Sequence, residues 1–222
     1  MKAQFVSRRE IGPDIWEFFL KTESWLDYQA GQYVDVQLTG FTDPRGPSRT
    51  LSLTSLPTDS ELSFAVKFPS PHSPYKARLL QLVEDDEVTL SQAMGDLVLP
   101  RDAARPLVFV AGGLGIASFV SMMKRAGTEA SPRDITLLYA HKPEEKLFVD
   151  VMKSCPGLKL TEFVSPQRLE IDDIVQDDVS TLYYISGSEP FTIQFRDQLL
   201  DASIPSTDIV YDYFDGYQTT DF

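Results

Sequence analysis

Leu107-Val108-Phe109-Val110-Ala111-Gly112-Gly113-Leu114-Gly115-Ile116 is the stretch on which the fold turns. A continuous apolar run over 107–111 is what a parallel strand buried on both faces carries. Glycines follow at once, and a helical pattern runs over 116–125. Outward from there, strand and helix alternate. Strands are expected over 135–140, 159–164, 181–186 and 208–214. Helices are expected over 144–153, in a short piece near 171–176, and over 190–202. This alternation predicts an α/β domain with a doubly wound parallel sheet.

Upstream the texture differs. Short stretches rich in β-branched, aromatic or alternating apolar residues lie at 3–6, 15–20, 33–38, 50–54, 62–68 and 87–90. Turn chemistry separates them, as in Ile11-Gly12-Pro13-Asp14, Ala30-Gly31-Gln32 and Thr42-Asp43-Pro44-Arg45-Gly46-Pro47. Short strands at this spacing indicate an antiparallel barrel or sandwich. One segment breaks the pattern: 74–83 has helical spacing, with Ser73 before it as an N-cap. The expected division is a β domain over 1–102 and an α/β domain over 103–222.

Composition narrows the function. The 222 residues are 42% hydrophobic and 11% aromatic, enough for two cores and unlike a disordered chain. No apolar run reaches the ~18 residues of a membrane span. Residues 1–10 carry Lys2, Arg8, Arg9 and Glu10 with no apolar stretch behind them, so a secretory signal is not expected. The single cysteine, Cys155, excludes an internal disulfide framework, a Cys-rich zinc site and a four-cysteine iron–sulfur cluster within these residues. With only His72 and His141, a His-rich metal site is excluded too. The expected compartment is the cytoplasm, and no metal is expected. Net charge is −13, and 166–222 hold 12 acids against 2 bases. Nucleic acid is therefore not an expected partner. The acidic third serves either as a solubility face or to steer a basic partner.

Three segments bear on chemistry. Glycines 112, 113 and 115 join a buried strand to a helix, where exposed N–H groups and the helix dipole attract phosphate. Tyr183-Tyr184-Ile185-Ser186-Gly187-Ser188-Glu189-Pro190 brings a second Gly-Ser turn to a helix start. Arg49-Thr50-Leu51-Ser52 places an arginine, able to hold a diphosphate bidentately, beside hydroxyls on alternate strand positions.

In their order along the chain, Ala30-Gly31-Gln32-Tyr33-Val34, Arg49–Ser52, Ser73-Pro74-Tyr75-Lys76, Gly95-Asp96-Leu97, Ala111–Phe119 and Ile185-Ser186-Gly187 resemble the ferredoxin–NADP⁺ reductase superfamily. The resemblance is to stand-alone members without an iron–sulfur domain. It implies a Greek-key barrel that binds FAD and a parallel domain that binds NAD(P)H. It implies that Arg49 engages the FAD diphosphate and that Ser52 lies near flavin N5. Thr50, Leu51, Val66, Lys67, Ser73, Tyr75 and Lys76 are then further FAD-binding positions. Gly112, Gly113, Leu114, Gly115 and Ile116 match the NAD(P)H pyrophosphate loop, and Gly187 and Ser188 the second turn. Asp212 and Phe214 take the places of a terminal acid near the nicotinamide and an aromatic over the flavin, so the implied catalytic set is Ser52, Asp212 and Phe214. Leu51 stands where the family's Tyr packs on the flavin. Leu114 and Ser118 replace the usual Thr and Pro, and Ser186 the usual Cys. His141 and Lys142 are either cations for the 2′-phosphate of NADPH or ordinary surface residues. Glu144 and Glu145 nearby tilt the donor toward NADH. The implied activity is hydride transfer from NADH or NADPH to FAD. Electrons then pass to an acceptor: a protein carrier, a membrane redox complex or a small molecule. The protein itself is not expected to be an integral membrane one. The departures leave a second reading, a regulatory or assembly module of the same fold that binds a nucleotide without turnover.

Overall fold

The structure is a computed structural model and describes residues 1–214, with the side chain of Phe214 excepted. The chain divides into two compact units, Met1–Val98 and Leu99–Phe222.

The first unit holds β1 (Lys2–Gly12), β2 (Ile15–Thr22), β3 (Tyr33–Gln37), β4 (Ser48–Ser52), β5 (Leu62–Lys67), α1 (Pro74–Leu80) and β6 (Glu87–Leu90). The sheet order is β4-β3-β6-β1-β2-β5, and each neighbouring pair is antiparallel. A bridge between Leu53 and Phe64 joins the two edge strands, and Thr54 N donates to Ser63 O at 2.8 Å. The sheet therefore closes on itself, which removes its edges. With β6 inserted between β1 and β3, this is the Greek-key barrel that the sequence implied. Alternation explains the filling: Val34 and Val36 are buried while Asp35 between them is not. Phe18 is fully buried and stacks on Phe64 at 5.6 Å. Helix α1 starts where expected. The Ser73 hydroxyl accepts from Lys76 N at 3.3 Å, Pro74 occupies the first turn, and Tyr75 and Leu79 enter the barrel core.

The second unit holds β7 (Leu107–Gly112), a 3₁₀ turn (Gly113–Gly115), α2 (Ile116–Gly127), β8 (Ile135–His141), α3 (Val149–Ser154), β9 (Leu158–Val164), α4 (Ile171–Ile174), β10 (Leu182–Ser188), α5 (Glu189–Asp201) and β11 (Ile209–Phe214). Its sheet runs β11-β10-β7-β8-β9, all parallel. The order reverses between β7 and β10, so the switch point lies there.

β1, expected over 3–6, extends over Lys2–Gly12, and α1, expected over 74–83, ends at Leu80; two further elements differ from expectation. The helix expected over 144–153 begins at Val149. Pro143 biases Lys142 away from helical angles. The Tyr139 hydroxyl then holds the next segment as a loop, donating to Glu145 O at 2.9 Å and accepting from Leu147 N at 3.4 Å. The Gly-Ser turn after 186 is not yet a turn. Gly187 and Ser188 remain in β10, paired with Tyr213 and Phe214 of β11.

Phe18→Ala would leave a large cavity beneath the Phe64 ring. The expected cost is about 3–5 kcal/mol, read as a lower urea midpoint with unchanged slope.

Candidate functional site

In the second unit the site forms at the carboxyl ends of β7 and β10, where Ala111 lies beside Ser186. Gly113 has φ +54, and the chain from Ala111 through Ser118 is buried throughout. A Cβ at Gly115 would collide with the Ser186 carbonyl oxygen and stand 2.7 Å from Gly187 N. The first turn of α2 thus lies directly on β10. A Cβ at Gly112 or Gly187 would meet the Phe191 ring at 3.1 or 2.7 Å, so that ring spans the ends of β7 and β10. Ser186 Oγ donates to Ser118 Oγ at 3.1 Å and ties β10 to α2. Helix α2 has no side-chain cap at Gly115, and the turn Gly113–Gly115 leads into its N-terminus. Ser188, by contrast, caps α5 by accepting from Phe191 N. On β11, Asp212 lies opposite Ser186; its side chain is half-buried, and its carbonyl accepts from Thr192 Oγ1 at 3.5 Å. Phe214 ends β11 opposite Ser188, and its side chain lies outside the described residues.

His141 ends β8 with its side chain only 2% exposed. Its Nε2 lies 3.1 Å from Glu162 Oε1, its Nδ1 2.7 Å from Lys142 O, and its ring 4.5 Å from that of Tyr139. The ring is turned inward, not outward. Lys146 also reaches Glu162, at 2.7 Å. Burial pushes the Glu162 carboxyl up, but hydrogen bonds from Lys146 and His141 outweigh it and hold the group below the usual carboxylate range. Lys142 is half-buried.

In the first unit Arg49 lies on β4. Its Nη1 donates to Ser48 O (2.6 Å), Gly46 O (3.0 Å) and Arg45 O (3.3 Å). Its guanidinium sits 4.9 Å from the centre of the Tyr75 ring. Nη2 is a buried nitrogen without an aligned hydrogen bond, 2.9 Å from Asp43 Oδ2. An under-satisfied buried guanidinium nitrogen fits an anionic group such as a diphosphate. Thr50 faces outward and donates to Asp35 Oδ1 at 2.6 Å. Leu51 packs in the barrel core at 9% exposure, and Ser52 beside it is buried opposite Tyr33. Val66 also belongs to the core, and Lys67 follows it opposite Ile15. Ser73, Tyr75 and Lys76 form the first turn of α1. Arg49, Tyr75 and the Ser73 cap thus gather at one place.

Asp43, Glu162 and Phe191 were not singled out by the sequence. Asp43 reads there as turn chemistry, and its partners Arg49 and Tyr75 are reached only through space. Phe191 had a signal: an aromatic four residues after Gly187, in the first turn of a helix. Cys155 is buried, and burial pushes its thiol up from the ordinary value. Among the described residues no group of three His, Cys, Asp or Glu is placed to hold a metal ion, and no helix is long and apolar enough to cross a membrane.

A closed Greek-key barrel followed by a doubly wound parallel sheet, with an arginine–serine strand in the first and a glycine turn at the switch point of the second, is the ferredoxin–NADP⁺ reductase-like two-domain fold. The structure matches the flavohem-like FAD/NAD-binding domain of nitric oxide dioxygenase from Vibrio cholerae with a TM-score of 0.79 at 19% identity, covering 96% of this chain and 98% of that one. Among curated proteins the chain is 30% identical over 135 residues to the flavohemoprotein of Bacillus subtilis, covering 60% of this chain and 33% of that one. It is 31% identical over 130 residues to methane monooxygenase component C of Methylosinus trichosporium, covering 58% and 37%. The chain therefore spans about a third of the length of these two relatives. No family model matches it.

Gly115→Ala forces backbone against backbone, so a loss of several kcal/mol is expected, seen as a large drop in melting temperature. Gly127→Ala is the control: its Cβ meets Ser154 O at 3.4 Å, and stability should stay within about 1 kcal/mol of wild type. In the native protein Cys155 should react with a thiol reagent at neutral pH well below the rate of free cysteine, rising to that rate on unfolding.

Proposed function

We propose that this chain is an FAD-dependent NAD(P)H oxidoreductase module. Residues 1–102 would bind FAD and 103–222 the nicotinamide donor. The observation that carries the reading is the glycine turn at the reversal point of the parallel sheet, in a chain whose barrel presents Arg49 with an under-satisfied buried Nη2. The relatives support it, since the matched Vibrio domain is named as FAD/NAD-binding and methane monooxygenase component C as part of an oxygenase system.

When bound, NAD(P)H supplies a hydride and FAD accepts it and releases electrons singly. What the chain contributes is placement. Arg49 binds the diphosphate, with the first turn of α1 at Ser73, Tyr75 and Lys76 beside it. Thr50 and Lys67 would border the flavin site, while Leu51 and Val66 lie in the barrel core and would bear on it only from behind. The Ser52 hydroxyl would be the group that holds a hydrogen bond to the flavin's reacting edge. Gly112, Gly113, Leu114, Gly115 and Ile116, with Gly187 and Ser188, receive the pyrophosphate of the donor. Asp212 would orient the nicotinamide. NADH is the preferred donor: His141 is turned onto Glu162, and carboxylates at Glu144, Glu145 and Glu162 disfavour a 2′-phosphate. The acceptor is a basic protein carrier, a membrane redox complex or a small molecule. The acid excess over 166–222 favours the first. The single cysteine accords with a cytoplasmic setting.

Purified protein titrated with FAD should show a bound flavin band, and anaerobic NADH should bleach it faster than NADPH. Arg49→Ala should weaken FAD binding at least about tenfold. Ser52→Ala should keep FAD affinity but slow bleaching by about tenfold or more. Binding without bleaching by either donor would move the chain to the reading in which a nucleotide is held without turnover.

A further inference from the structure

The guanidinium on which the flavin site relies faces a carboxylate of its own chain. Asp43 Oδ2 lies 2.9 Å from Arg49 Nη2, with side-chain exposures of 2% for Asp43 and 16% for Arg49. The same oxygen accepts the Tyr75 N–H at 3.0 Å, and Oδ1 accepts the Arg45 N–H at 2.8 Å. Arg49 does not need Asp43 for its orientation. Three carbonyls already fix Nη1, and the Tyr75 ring supports the guanidinium. At Nη2 the carboxylate is near but misaligned, so it neutralises charge without satisfying the donor. A better-aligned anion arriving at Nη2 meets Asp43 as a like charge a few ångströms away.

We propose that Asp43 is an internal competitor of the FAD diphosphate for Arg49, so that flavin affinity is set by how readily this carboxylate yields. The proposal rests on the flavin reading above and deepens it. Burial alone would push the Asp43 carboxyl up, but hydrogen bonds from the Arg45 and Tyr75 amides and the nearby charge of Arg49 outweigh it and hold the carboxyl below its ordinary value. A carboxylate that merely positioned Arg49 would strengthen diphosphate binding. A competitor weakens it, and the two roles differ in the sign of one substitution.

The test compares wild type with Asp43→Asn, which keeps the shape and removes the charge, and with Asp43→Ser, which keeps an oxygen for the amides. Circular dichroism and ligand-free melting temperatures establish that each variant is folded. FAD affinity is read from flavin fluorescence, and anion affinity from the rise in melting temperature with inorganic pyrophosphate. The expected result is FAD binding about tenfold tighter in the variants, with a larger pyrophosphate-induced rise. Equal or weaker binding of both ligands by the variants overturns the proposal. Failure of FAD to bind any of the proteins, with pyrophosphate still preferring the variants, overturns the flavin reading and leaves the competition standing. If neither ligand binds any protein, both fall. Wild type gives a reading independent of the variants: the ¹³C carboxyl resonance of Asp43 should move on saturation with pyrophosphate, and an unmoved resonance at saturation rejects displacement.

Discussion

Helix α2 can follow β7 only because its first turn lies against the backbone of β10, and that approach depends on a hydrogen atom at Gly115 in place of a side chain. Much of the second unit is arranged around that contact. The carbonyl of Ser186 is the surface approached, so β10 must sit next to β7, and the sheet order must reverse there. Gly112 and Gly187 then leave a slot that the Phe191 ring fills. The glycines at 112, 115 and 187 are thus each accounted for by packing within the protein. Their placement at the switch point leaves the Gly113–Gly115 turn and the uncapped start of α2 at the sheet's carboxyl edge, where ligands of open α/β sheets bind.

The first unit solves a different problem, which is to hold a charge inside a barrel wall. Arg49 comes out of β4 and folds back on its own approach loop. The carbonyls of residues 45, 46 and 48 take its hydrogens, and the Tyr75 ring lies under its face. Tyr75 is in turn fixed from the other side, its hydroxyl donating to Val36 O at 2.9 Å in the barrel core. Burying a guanidinium is costly without such partners. One short helix therefore links the hydrophobic core to the charged site, and Ser73, by capping that helix, helps set the position of the arginine's support.

Much of this was legible in the sequence. The apolar run 107–111 and the glycines after it placed β7 and its turn. Four alternating residues placed β6 at Glu87–Leu90, and Ser73-Pro74 marked the start of α1. Local chemistry sufficed in each case, because period, cap and turn residue act on neighbours. It failed where a distant group decided the outcome. Glu144–Phe148 looked helical, yet the Tyr139 hydroxyl from the preceding strand holds part of it as a loop. His141 was read as exposed, whether as a cation for a 2′-phosphate or as an ordinary surface residue, but the neighbouring strand β9 supplies Glu162 and draws the ring inward. Asp43 carried no signal beyond its turn, since nothing local shows that a turn carboxylate will meet an arginine six residues on and the amide of a helix.

The closure of the barrel bears on how the first unit assembles. The seam between β4 and β5 is a contact between near neighbours: Thr54 and Ser63, nine residues apart, share a hydroxyl hydrogen bond of 2.7 Å. The pairing of β1 with β6 is of another kind, since Lys2 and Glu87 meet across 85 residues. Loop-closure entropy makes the first contact inexpensive and the second slow to find. The β1–β2 hairpin and the seam are local contacts, whereas β2 pairs with β5 across the whole of β3 and β4. The insertion of β6 between β1 and β3 needs most of the unit to be present, so loop-closure entropy makes it, with the β2–β5 pairing, the expected slow part of assembly.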